Sequence, residues 1–83
     1  MNDRLPALTA REVLRALQRA GFIVTRTSGS HCRLIQNADP HRAVTIPMHA
    51  GDLRRGTLRS IVAQAGFTVA EFLCDLTQVF VAS

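Results

Sequence analysis

Phe22-Ile23-Val24-Thr25-Arg26-Thr27, then Ser28-Gly29-Ser30, then His31-Cys32-Arg33-Leu34-Ile35-Gln36 is the stretch whose reading decides the fold. Its first part is rich in β-branched and aromatic residues, its second alternates polar with apolar positions, and a glycine lies between them. The stretch therefore predicts two antiparallel strands, Phe22 to Thr27 and roughly Ser30 to Gln36, joined by a tight turn. Phe22, Val24 and Arg26 are expected to share one face of the first strand. In the second, Cys32 and Leu34 point one way and His31, Arg33 and Ile35 the other. With Cys32 and Leu34 in the core, His31 and Arg33 stand together toward solvent, and Arg26 joins them only if the register allows it.

Beyond this hairpin, Asn37-Ala38-Asp39-Pro40-His41 is turn chemistry, and Ala43 to Pro47 predicts a third strand with Val44 and Ile46 on one face. Short connections make the three strands an antiparallel meander. Upstream, residues 1–7 are a lead-in, after which Thr9 and Glu12 form a capping box bracketed by Leu8 and Val13. Ala10, Val13, Leu14 and Leu17 recur at helical spacing up to the stop at Gly21. Downstream, a loop from Met48 to Arg55 carries His49, Gly51, Arg54 and Arg55. Gly56-Thr57 opens a second helix with Leu58, Ile61, Val62 and Ala65 at helical spacing, closed by Gly66. Its N-terminus carries partial positive charge beside two arginines. Thr68 and Glu71, with Phe67 on Phe72, repeat the capping signature and predict a short helix to about Leu76. Residues 77–83 are a strand-prone tail, either a frayed end or a segment lying against a partner. The whole is an α+β single domain over residues 1–83: a three-stranded antiparallel sheet with helices packed on one face, in the order α-β-β-β-α plus a short C-terminal helix.

At 83 residues and 47% apolar, the chain closes one core. Its ten basic residues are all arginine, against six acids, and the net charge is +4. The guanidinium fork matches phosphate oxygens, so this balance points first to nucleic acid and second to an acidic protein. Cys32 and Cys74 form no Cys-x-x-Cys pair and are expected as buried thiols in a reducing compartment. No apolar leader or membrane-spanning run is present, so a cytoplasmic location is expected.

His31 is the candidate for chemistry. An imidazole, with an ordinary pKa of about 6.5, can accept a proton near neutrality while neighbouring arginines hold phosphate oxygens. That is the minimum equipment for metal-free RNA cleavage; the plain alternative is a solvated histidine at a strand start. His41 sits in turn chemistry, and His49 serves either its own loop or the substrate. These histidines and cysteines lack close zinc-ligand pairs, and Asp39 and Asp52 are isolated carboxylates, so neither a metal nor another cofactor is expected. Ser30 lacks a triad context and suits a hydroxyl donor to phosphate or a strand-entry role.

Leu8-Thr9-Ala10-Arg11-Glu12-Val13, Ala20-Gly21-Phe22, Gly29-Ser30-His31, Ile46-Pro47-Met48-His49, and Gly56-Thr57-Leu58-Arg59-Ser60-Ile61 through Ala65-Gly66, taken as an ordered set, resemble the HicA family of toxin mRNA interferases from bacterial toxin–antitoxin modules. The chain departs from the family pattern in having no lysine and in the Cys32-Arg33 that follows the motif. The resemblance implies a fold similar to a double-stranded-RNA-binding domain and a ribonuclease that inactivates messenger RNA. It places the catalytic histidine at His31 and implies a HicB-type antitoxin covering that site. Gly29, Ser30, Arg33, Arg26, Arg54, Arg55 and His49 are the candidate substrate contacts. The rival readings are a non-catalytic RNA-binding module and a basic interaction protein for an acidic partner.

Overall fold

Thr9 begins the first helix as its neighbours dictate. Its hydroxyl accepts the Glu12 N–H at 3.2 Å while the Glu12 carboxylate accepts the Thr9 N–H at 2.9 Å, with Leu8 and Val13 buried on either side. The computed structural model describes residues 5–82, and side chains from Leu5 to Thr77. The elements are α1 (Ala10–Arg19), β1 (Phe22–Ser28), β2 (His31–Gln36), β3 (Ala43–Pro47), α2 (Arg55–Gln64) and α3 (Val69–Ala82). The strands make one antiparallel sheet in the order β1-β2-β3, so the expected α+β architecture is the observed one.

Gly29, at φ +57°, takes the first central position of a two-residue turn, and Ser28 therefore pairs with His31. Between Val24 and Arg26 the register slips, leaving Thr25 as an extra residue opposite β2. Such a bulge inverts the alternation of a strand. Val24 pairs with Leu34, but Arg26 pairs with Arg33. Arg26 thus does not share the face of Phe22 and Val24, as plain alternation predicts; it stands on the opposite face with Arg33. The Thr25 hydroxyl donates to the Arg33 carbonyl at 3.3 Å and so helps to hold the slip.

One core lies between the sheet and its helices, built on Val13, Leu17, Phe22, Leu34, Val44, Ile46, Leu58, Ile61 and Phe72. Burying each such side chain is worth about 1.5–3 kcal/mol. Helix α1 packs on β1 and β3, α2 on β3, and α3 on both α1 and α2. Arg42, in the β2–β3 connection, ties these layers together. Its Nε donates to the carbonyl of Ala65, the C-cap of α2, at 2.7 Å. Its guanidinium lies 5.7 Å from the Phe22 ring centroid and 5.4 Å from that of Phe67. A cation suits a helix C-terminus and the faces of aromatic rings.

The C-terminal helix is longer than expected. It runs past Leu76 to Ala82, so residues read as a strand-prone tail are helical; Ser83 lies outside the described residues. No Gly or Pro follows Gly66 to break it, and Phe72 and Leu76, four residues apart, anchor one face in the core. Packing of that face overrides the β-propensity of Val79 and Val81. Cys74, expected inside, is exposed, whereas Cys32 is buried; Cys74 lies two residues from each of those anchors and so turns away from the core.

Two outcomes follow from this packing. Gly66 has φ +82°, and a Cβ there would stand 2.7 Å from the Arg42 Nε, whereas one on Gly29 would meet open space. Urea denaturation of Gly66→Ala should show a loss of about 2 kcal/mol or more, against about 1 kcal/mol for Gly29→Ala. The second concerns Asp75, whose Oδ2 is buried without a hydrogen-bond partner among the described residues. Burial pushes its carboxyl above the ordinary value, and the Arg19 charge opposes the shift. A folded-state value above the unfolded one gives stability that is full below the ordinary carboxyl range and is lost as pH rises through the raised value. Asp75→Asn should flatten that decline in denaturation midpoints taken across acidic pH; an unchanged decline would refute it.

Candidate nucleic-acid interface

His31 is the first residue after the hairpin turn and is exposed on the sheet face that no helix covers. Ser28 of β1 pairs with it on one side and Pro47 of β3 on the other. The turn sets its distance from the strand end, and the burial of Cys32 and Leu34 sets its face. Arg33 follows on the same face, paired with Arg26 on β1 and Thr45 on β3. A row holding the imidazole therefore runs beside a row holding two guanidinium groups, roughly 6–7 Å away along the strand. All three side chains are exposed. Ile23 and Ile35 are paired further along this face, and no aromatic side chain stands among these paired residues.

From β3 the face continues into a groove of about 420 Å³. His31, Thr45 and Pro47 form its sheet wall; Gly56, Thr57, Ser60 and Gln64 of α2 form the other. The N-cap of α2, Arg54, makes no side-chain cap, and the first turn holds no acid. The amides of that turn remain available to an anion.

The candidate residues divide in space. His31, Arg33 and Arg26 share the open face, and Gly29-Ser30 forms the turn directly before His31. His49 and Arg54 lie together with Asp52 in a neighbouring depression that shares Pro47 and Thr57 with the groove. Arg55 lines another depression, with Leu5, Pro6 and Leu58. His41 is exposed in its turn, where its N–H donates to the Asp39 carboxylate at 3.3 Å. Among the described residues, no three His, Cys, Asp or Glu side chains gather as a metal site requires, and no helix is long and apolar enough to cross a membrane. Thr57, Ser60 and Gln64 line the groove without a motif in the sequence that marks them as site residues. Their only signal in the sequence is helical spacing of polar groups on the flank of an apolar row.

Like charges directly opposed across strands destabilise a sheet. Arg26→Thr should therefore raise stability by about 0.2–1 kcal/mol in low salt. The gain should shrink near 1 M salt, where the Debye length is about 3 Å. Paired denaturation curves at the two ionic strengths provide the check, and a salt-independent gain would point to strand propensity instead.

The family model for the HicA toxin of bacterial toxin–antitoxin modules matches residues 10–67, from the first turn of α1 through the staple residue Phe67. No curated protein matches the chain. The matched span contains the whole sheet, the row of His31 and the groove along α2, and the chain belongs to the HicA toxin family.

Proposed function

We propose that this toxin is a metal-independent endoribonuclease acting on messenger RNA, with His31 as its general base. The observation that carries the reading is the pair of adjacent rows on the open face, with His31 in one and Arg33 and Arg26 in the next. A neutral imidazole nitrogen of His31 takes the proton of an RNA 2′-hydroxyl, and the freed oxygen attacks the adjacent phosphorus. The bond to the 5′-oxygen breaks, and that oxygen leaves with a proton from water, which reaches the exposed face freely. The products carry a 2′,3′-cyclic phosphate and a 5′-hydroxyl. Arg33 and Arg26 offset the charge that gathers on the phosphoryl oxygens. Gly29 and Ser30 shape the approach to His31, while His49 and Arg54 hold more distant phosphates. Arg55 serves as long-range positive charge in a cytoplasmic setting.

Membership of the HicA family implies a HicB-type antitoxin. In this reading the antitoxin covers the open face and meets the arginine row with acidic groups.

Positioned base catalysis contributes about 10²- to 10⁴-fold. Labelled single-stranded RNA in excess EDTA should be cut by the native chain to cyclic or 3′-phosphate ends, and His31→Ala should lose activity by that factor. Equal cleavage by both proteins would remove His31 from the reaction. Salt-sensitive binding without cleavage by either would make the domain an RNA-binding module.

A further inference from the structure

We infer, resting on the ribonuclease reading above, that the flank of α2 bearing Thr57, Ser60 and Gln64 reads the edge of a base beside the cleaved linkage and so sets sequence preference. The two sides of His31 differ in chemistry. Along the strands, one row from His31, lie the guanidinium groups of Arg33 and Arg26, which suit phosphate, and phosphate contacts carry no sequence information. Toward α2 the groove is lined by the hydroxyls of Thr45, Thr57 and Ser60 and the carboxamide of Gln64, beside Pro47 and Ile61, and among the described residues no Arg, Asp or Glu lines it. Neutral donors and acceptors of this kind discriminate base edges. Because the paired residues of the open face include no aromatic among the described side chains, discrimination falls to hydrogen bonding and not to stacking.

The groups on α2 are held in place. Gln64 Oε1 accepts the backbone N–H of Thr45 at 3.5 Å, and its Nε2 donates to Ser60 Oγ at 3.3 Å. Thr45 is the β3 partner of Arg33, so one backbone strand links the base wall to the phosphate wall at a fixed spacing. With its oxygen occupied by Gln64, the Ser60 hydroxyl hydrogen is left to donate into the groove. The second N–H of Gln64 is a further donor, and the Thr57 hydroxyl can add another. The set favours an acceptor-rich base edge one nucleotide from the scissile bond.

The test is cleavage of a single-stranded RNA pool with a randomised segment, in EDTA, with the cut ends sequenced and rates resolved by flanking base. The native chain should prefer one base at one flanking position. Ser60→Ala and Thr57→Val should each compress the ratio of preferred to disfavoured rates by about 2- to 10-fold, the worth of one neutral hydrogen bond. That loss should fall on the preferred base, with melting by circular dichroism confirming the fold. Ala63→Ser, on the exposed side of α2, should leave rates and ratios unchanged. A native enzyme without base preference overturns the inference, as do variants that keep the native ratio or slow every sequence equally. A native chain that cuts no RNA overturns the ribonuclease reading itself, and this inference falls with it.

Discussion

Burial of Cys32 and Leu34 under the helices is the constraint on which the site depends. Side chains alternate along a strand, so placing these two inside puts His31 and Arg33 outside. A slip of one residue would drive an imidazole and a guanidinium into the core and two apolar groups into water. Unpaired burial of such polar groups is worth several kcal/mol against the slip, which is a large fraction of the stability of a domain this small. The register is therefore strongly determined at the point where the proposed chemistry needs it. Gly29 reinforces it by closing the hairpin in two residues, so that Ser28 and His31 must meet.

The arginines do two kinds of work. Arg42 is spent on the fold: it closes α2, lies over the buried Phe22 ring and the partly buried Phe67 ring, and packs so closely that a Cβ on Gly66 would crowd its guanidinium. Arg26 and Arg33 are exposed and face each other across two strands, an arrangement that opposes folding. Helix caps at Thr9 and Thr68 and a single continuous core offset the strain. Under the proposed function this cross-strand pair, unfavourable for folding, serves to hold phosphate.

Where structure follows from neighbours in sequence, the chain is readable. Both capping boxes, their staples, the glycine turn and the alternation of β2 rest on residues within a few positions of one another, and the observed elements follow them. The bulge at Thr25 has no such local mark: no glycine stands there, and the slip is decided by how β1 meets β2. Simple alternation for that reason predicts the wrong face for Arg26. The length of α3 and the exposure of Cys74 depend on which face packs on α1 and α2, a tertiary fact. Thr57, Ser60 and Gln64 look like ordinary solvated helix positions until β3 is laid beside them.

The openness of the site has a consequence for control. Among the described residues nothing encloses His31: it stands exposed on the open sheet face, at the edge of a groove, within reach of water. Such a site cannot strengthen its charges by excluding solvent, so in the proposed reaction the work falls on position and on the two guanidinium groups. Among the described residues no segment stands over it as a lid. Under the proposed function such a site is restrained from outside, by a surface that competes with phosphate for the same arginine row. A HicB-type antitoxin, which the family implies, would under the proposed function need only lay acidic groups across Arg26 and Arg33 to block access to His31 one row away. In that reading the features that suit the face to RNA are the ones that let a single acidic partner silence it.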